Sequence, residues 1–226
     1  MITPCWGNIN FHIKAESTGA TIKGIKIIDL KKDVFKKLDT ICKSECIFAS
    51  NTSSFRISEL AQSVSVQRQT QFIGLHFFNP VAVMKLVEII LANTTSKETK
   101  ELCQSYCSSI GKETVFINDS PGFATTRMVA LIINEACNML DEGLGTIEDI
   151  DKAIKLGLAH PMGPLTLADL IGLDTASHIL EYLFSELKQD KFNPSPTLKQ
   201  KIGQGKLGKK TGEGFYKYWI VLIWIQ

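Results

Sequence analysis

Apolar and polar positions along this chain follow two regimes. From Asp29 the apolar residues Leu30, Val34, Leu38 and Ile41, with lysines between them, keep helical spacing. Glu45-Cys-Ile-Phe-Ala49 is a short apolar run and reads as a buried strand. It opens into the polar loop Ser50-Asn-Thr-Ser-Ser54, whose hydroxyls suit the capping of a helix near Ile57 to Ser63. Phe72-Ile-Gly-Leu-His76 predicts a second buried strand, Val83 to Leu91 a third and Glu113 to Ile117 a fourth. Thr94 to Ile110 reads as a helix closed by Gly111. Strand and helix thus alternate up to about residue 118, the pattern of an α/β sheet.

Beyond that point the period becomes purely helical. Asp119-Ser-Pro-Gly122 has the form of a helix start, with Pro121 suited to the first turn. Met128, Leu131, Ile132, Cys137, Met139 and Leu140 follow at helical spacing, and Gly143 stops the run. Thr146-Ile-Glu-Asp149 is a capping-box-like start for another helix, ending near Gly157. Further helices are expected from Gly163 to Leu170 and from Asp174 to Leu187. The expected organisation is a sheet domain over residues 1–119, a helical domain over 120–218, and an apolar tail over 219–226. Residues 1–24 hold no sustained period, although Asn10 to Ile13 and Gly24 to Ile28 have the look of short strands. The tail, Trp219-Ile-Val-Leu-Ile-Trp-Ile225, falls far short of the roughly 20 residues that span a bilayer. Left exposed, it is an aggregation hazard.

Composition narrows this picture. With 226 residues and 44% hydrophobic content, the chain can bury one sizeable core or two small ones. A net charge of +2 gives no footprint for nucleic acid or an anionic membrane. Six cysteines include two i, i+4 pairs, Cys42/Cys46 and Cys103/Cys107, expected within helices. No neighbouring histidines complete a metal site, so they read as buried or half-buried free thiols. No secretory signal is visible, and the expected compartment is reducing: the cytoplasm.

Candidate chemistry centres on His76-Phe-Phe-Asn-Pro80 and Met84-Lys-Leu-Val-Glu88. His76 ends a predicted strand, where ligands of α/β sheets bind, and Glu88 lies on the next strand. A carboxylate beside an imidazole fixes its tautomer and stabilises its charged form, as a general base requires. The pattern alone leaves open a satisfied core histidine with an unrelated surface glutamate. Ser53 and Ser54 are either helix caps or ligand contacts at the same strand end. His12, His160 and His178 lack a comparable setting. Gly203-x-Gly205-x-x-Gly208 matches the dinucleotide fingerprint literally but follows no strand, so it reads as a turn. Lys199, Lys201, Lys206, Lys209 and Lys210 around it form either a solvated face or a contact for ligand phosphates. No Gly-x-Ser-x-Gly elbow supports a serine hydrolase.

Five motifs occur in order: Phe48-Ala-Ser-Asn-Thr-Ser-Ser54; Gly74-Leu-His-Phe-Phe-Asn-Pro80 with Met84-Lys-Leu-Val-Glu88; Asp119-Ser-Pro-Gly-Phe123; His160-Pro-Met-Gly-Pro164; and Gly208-Lys-Lys-Thr-Gly-Glu-Gly-Phe-Tyr216. Together they resemble the 3-hydroxyacyl-CoA dehydrogenases, especially the bacterial 3-hydroxybutyryl-CoA type, from about Asp29 to Tyr218. The resemblance implies a partial Rossmann-type doubly wound sheet followed by an all-helical C-terminal domain. It implies oxidation of the 3-hydroxyl of an acyl-CoA with NAD as cofactor. By that likeness His76 is the catalytic base and Glu88 its carboxylate partner. Ser53 contacts substrate and cofactor, and Asn79 helps to position both. Thr126, in Thr126-Arg127, stands where the family often has asparagine and loses that amide's two-sided hydrogen bonding. The resemblance also implies a homodimer through the C-terminal helices.

A second departure is larger. The family opens with a strand, a Gly-x-Gly loop, a helix and an acidic residue for the ribose, then a helical hairpin that contacts CoA. Residues 1–28 do not carry that pattern, which predicts a truncated or frame-shifted copy with weakened NAD binding. Two other readings therefore stand beside the enzyme. One is a non-catalytic remnant serving as a helical dimerisation module; the other is a CoA-binding protein without redox activity.

Overall fold

A computed structural model describes residues 27–218. Helix α1 (Ile27–Ile41) is followed by β1 (Phe48–Ser50), α2 (Ile57–Ala61), α3 (Val66–Gln69), β2 (Phe72–Phe77) and β3 (Leu86–Leu91). Then come α4 (Lys97–Ser109) and β4 (Glu113–Asn118). The strands form one sheet in the order β1-β2-β3-β4. β1 pairs with β2 in parallel and β3 with β4 in parallel, while β2 and β3 pair antiparallel. The antiparallel pair has a simple cause: no helix separates β2 from β3, and a short connection turns the chain straight back.

The period of two in β2 and β3 assigns each residue to a face. Ile73, Leu75, Val87 and Ile89 are buried with Cys103 and Cys107 of α4. The other face gathers Phe48, Phe72 and Ile90 against Ile57 and Leu60 of α2, with Phe35 and Leu38 of α1 packed on them. Position 74 lies on this second face and is glycine, because a Cβ there would come within 2.8 Å of Ile57. His76 and Glu88, each two residues along from Gly74 and Ile90, share that face.

The helical region comprises α5 (Thr125–Asp141), α6 (Ile147–Gly157), α7 (Pro164–Ile171), α8 (Leu173–Leu187) and α9 (Pro196–Gly203). Its core joins Ile133 and Cys137 of α5 to Leu165, Leu173, Leu180, Leu183, Phe192, Leu198 and Phe215. Thr146 caps α6 as its sequence predicts, accepting from Asp149 N and donating to Asp149 Oδ2 at 2.8 Å. Cys42, Cys46, Cys103, Cys107 and Cys137 are free thiols, all buried or half-buried.

Several boundaries differ from expectation. β3 begins at Leu86, and Val83 and Met84 lie exposed in the turn before it. Ile27 and Ile28 are helical, not the end of a strand; residues 10–13, 24–26 and 219–226 lie outside the described residues. Cys42 and Cys46 sit beyond the end of α1, so they do not share a helix face. The segment there is gathered by the buried guanidinium of Arg68, which donates to the carbonyls of Lys43 (2.7 Å), Ser44 (2.9 Å) and Cys46 (2.5 Å) and pairs with Asp39. The largest difference is at α5, which starts at Thr125 rather than in the Asp119–Gly122 turn. Asp119 does cap a helix, but a distant one: its carboxylate accepts from Ile57 N (2.9 Å) and Ser58 N (2.7 Å) at the start of α2.

The Gly203–Gly208 segment is a turn, with Gly205 and Gly208 at positive φ. Gly208 and Gly214 press on Asp169 so closely that no side chain fits at either position. Asp169 in turn accepts from Phe215 N (2.8 Å), Tyr216 N (2.9 Å) and the Tyr218 hydroxyl (3.0 Å). The glycine-rich motif is therefore a clasp for the C-terminal loop. All five nearby lysines have internal partners: Lys199 on Asn193, Lys201 on the Gly214 carbonyl, Lys206 on Glu213, Lys210 on Asp174, and Lys209 over the Tyr218 ring. The phosphate-contact reading of these lysines finds no support in this arrangement.

Candidate active site at the sheet–helix junction

His76 and Glu88 are direct partners in the β2–β3 register. Cross-strand partners point the same way, so twelve residues of sequence separation collapse to one contact. Nδ1 of His76 lies 2.8 Å from Oε2 of Glu88. Both are buried, His76 at 5% exposure and Glu88 at 0%. The His76 ring is flanked by Phe78 and Phe123, with centroids 4.6 and 5.7 Å away.

A fully buried carboxylate requires donors, and here they come from the start of α5. Oε1 accepts from Thr125 N at 3.0 Å and Ala124 N at 3.3 Å, and Oε2 also accepts from the Thr125 hydroxyl at 2.8 Å. Ala124 precedes the helix and has no side-chain oxygen with which to cap it. Glu88 supplies the cap from the sheet, where the helix N-terminus favours negative charge. Burial alone would raise the Glu88 carboxyl. The hydrogen bonds from His76 and Thr125 outweigh it and hold the group below the usual carboxylate range.

Phe123, against the histidine, is a bulky residue at φ 50°. It is held there by burial and by the turn in which Gly122 N donates to the Ser54 carbonyl at 3.1 Å. Such a conformation is costly outside glycine and persists only where the surroundings enforce it.

With Nδ1 facing Glu88, a neutral imidazole carries its proton on Nδ1 and a lone pair on Nε2. No described residue hydrogen-bonds Nε2. The pair can therefore accept a proton at Nε2 while the carboxylate compensates the resulting charge. Ser53 follows β1 and Asn79 follows β2, at the carboxyl ends of two parallel strands, where crevices in α/β sheets form. Ser53 is half-buried and Asn79 exposed, and neither side chain makes a hydrogen bond among the described residues. Asn51 closes this end by accepting from Phe77 N at 2.9 Å. Thr126 lies one residue into α5, and its side chain also makes no hydrogen bond among the described residues. Its neighbour Thr125, which does reach Glu88, was not singled out by sequence reasoning. The misplaced start of α5 concealed it: only a helix beginning at Thr125 turns that hydroxyl and amide together toward a capping group.

Among the described residues no cluster of metal-ligating side chains is present, and no helix is long and apolar enough to cross a membrane. A cleft of about 420 Å³ lies elsewhere, between α6 and α7, lined by Lys152, Lys155, Leu156, Met162 and Tyr216 among others, and shares no residue with the His76 site.

Residues 25–120 match the NAD binding domain of 3-hydroxyacyl-CoA dehydrogenase, and residues 122–218 match that enzyme's C-terminal domain. The chain is 49% identical over 189 residues to a probable 3-hydroxybutyryl-CoA dehydrogenase of Deinococcus radiodurans, covering 84% of this chain and 67% of that protein. It is 45% identical over 194 residues to 3-hydroxybutyryl-CoA dehydrogenase of Clostridioides difficile, covering 86% and 68%. The crystal structure of (S)-3-hydroxybutyryl-CoA dehydrogenase from Ralstonia eutropha superposes with a TM-score of 0.82 at 44% identity, covering 85% of this chain and 67% of that one. The chain thus spans about two thirds of the length of these relatives. With both halves matched and the fold shared, this chain belongs to the 3-hydroxyacyl-CoA dehydrogenase family.

Proposed function

We propose that the chain oxidises a short-chain 3-hydroxyacyl-CoA, such as 3-hydroxybutyryl-CoA, to the 3-ketoacyl-CoA within fatty acid metabolism. The observation that carries this reading is the buried His76–Glu88 pair, oriented so that Nε2 is the free nitrogen. In the proposed reaction Nε2 takes the proton of the substrate's 3-hydroxyl as the C3–H bond breaks. Glu88 holds the ring in the productive tautomer and compensates the imidazolium. NAD, when bound, accepts the hydride from C3.

The unpaired polar side chains of Ser53 and Asn79 suit the nicotinamide end of that cofactor, and Ser53, Asn79 and Thr126 are proposed to contact the substrate. Gly203–Gly208, a turn in the helical region, is not the pyrophosphate cradle. On this reading the chain divides near residue 119 into a cofactor part and a helical part and works in the cytoplasm.

A homodimer through the helical part is also proposed. The exposed side chains of Met128, Leu144, Leu156, Leu158 and Leu170 favour it, as does the tendency of large apolar surfaces to mark interfaces.

The test is NADH formation by the purified chain from 3-hydroxybutyryl-CoA at saturating NAD. Turnover that disappears in His76→Ala supports the reading. A folded chain that binds NAD and substrate without turnover overturns it, and a stable inactive dimer would favour a dimerisation module instead.

A further inference from the structure

We infer that Thr125 is a positioning residue that sets the proton affinity of His76 through Glu88. This rests on reading His76 as the base, but its geometry stands independently. Oε2 of Glu88 receives two donors at the same 2.8 Å distance, Nδ1 of His76 and the hydroxyl of Thr125. Oε1 receives two backbone amides from the same helix start. A carboxylate has about four lone-pair directions, and all four are occupied. Charge on Oε2 is therefore shared between the imidazole and the hydroxyl. The hydroxyl withdraws electron density from the oxygen that would otherwise stabilise an imidazolium alone.

The surroundings leave few competing explanations. β2 contributes His76 itself, and β4 places Val115 opposite Glu88. The turn before α5 contributes the Phe123 ring. Asp119 in that turn is engaged with α2, and Arg127 of α5 lies over the Phe192 ring. The influences resolved on Glu88 are burial, His76 and Thr125.

Because Thr125 opens the first helix of the helical region, the arrangement also makes the base depend on how α5 sits against the sheet. Removing the hydroxyl while keeping the shape, as in Thr125→Val, concentrates charge on Oε2. The imidazolium is then better stabilised and His76 becomes a stronger base. Its backbone cap survives, since both amides remain.

The experiment is a proton NMR titration of the histidine ring signals, with His76 assigned by its loss in His76→Gln. Thr125→Val should raise the His76 midpoint by about one pH unit. Thr125→Ser, which keeps the hydroxyl, should return it to the wild-type position. Thr125→Ala replaces valine should the latter fail to fold. An unmoved midpoint in a folded hydroxyl-free variant overturns the inference, as does a serine variant that shifts as far as valine. The readout needs no turnover. An inactive wild type would defeat the proposed function while leaving this titration able to decide the role of Thr125.

Discussion

Glu88 and Asp151 are built alike and sit in different halves of the molecule. Glu88 caps α5 through the amides of Ala124 and Thr125, the Thr125 hydroxyl and a ring nitrogen of His76. Asp151 caps α7 through the amides of Leu165 (2.7 Å) and Thr166 (2.9 Å), the Thr166 hydroxyl (2.6 Å) and the Tyr216 hydroxyl (3.0 Å). Each carboxylate thus takes two backbone amides, one threonine hydroxyl and one ring donor. The ring donor is the difference. An imidazole exchanges its proton near neutrality. The Tyr216 hydroxyl is pushed upward, first by burial and then by Asp151, and keeps its proton throughout the physiological range. The same capping geometry is architecture in the helical half. At the sheet–helix junction it becomes a potential proton relay, because the fourth partner can change its charge and has a second nitrogen to offer.

The sharpest way to break this comparison is catalytic. On the proposed function, His76→Ala or Glu88→Gln should lower kcat/KM by roughly 10²- to 10⁴-fold, the usual contribution of a positioned base. Asp151→Asn should leave the pH profile of kcat/KM in place. Equal losses in folded Glu88→Gln and Asp151→Asn would show that the two carboxylates do not differ in kind. Stability tests the architectural role by itself. Asp151→Ala strands two amides and the Tyr216 hydroxyl, and is expected to cost roughly 3 kcal/mol in urea denaturation. A loss below about 0.5 kcal/mol, the level of an ordinary surface substitution, would count against its architectural role.

What the sequence disclosed and what it hid follow the same line. β2 and β3 were legible as strands because each is a short apolar run, and His76 and Glu88 could be placed on neighbouring strands, but the runs did not show that the two share a face. Their direct pairing was not legible, since register depends on where the connecting turn ends, and β3 starts three residues later than the apolar run suggests. The starts of α2 and α7 fell where the apolar spacing placed them, and only that of α5 did not, but the groups that cap all three were hidden. Their caps come from Asp119, Glu88 and Asp151, which lie well away along the chain. Asp119 near Pro121 imitates a local helix start, and that imitation moved the expected boundary of α5, while the family likeness pointed to Thr126 and not to Thr125. The lysines around Gly203–Gly208 left a ligand contact open because side-chain pairing within a loop is not visible in the order of its residues.

A gentler test uses acid. Glu88 titrates below its ordinary value in the folded chain, so its protonation favours the unfolded state. Its stabilising contribution is complete above the unfolded value, near pH 4.3 for a glutamate, and is lost as pH falls through the lower folded value. The urea midpoint should therefore decline on acidification below about pH 5, and Glu88→Gln should decline less steeply. An identical slope in the two proteins would mean that Glu88 is not the group being titrated.

The smallest expected difference concerns whether the two halves yield together. Cys103 lies in α4 against the sheet and Cys137 in α5 within the helical core, and burial pushes both thiols up to about 12. At pH 8 a thiol of that value is ionised in only about one molecule in 10⁴, so neither should react with a thiol reagent while the chain is folded. Cys42 and Cys46 are half-buried beyond α1 and should react earlier. In increasing urea, Cys103 and Cys137 report separately on the sheet and the helices. Glu88 bridges the sheet to the start of α5, and the Phe55–Tyr182 ring contact at 5.3 Å adds a second link between the halves. Both thiols should therefore become labelled over one urea range, read by mass spectrometry of the labelled peptides. If Cys137 became reactive at clearly lower urea than Cys103, the helices would open first. The cap on α5 would then be too weak to hold Glu88 in place, and the contrast with Asp151 would narrow to the identity of a single ring.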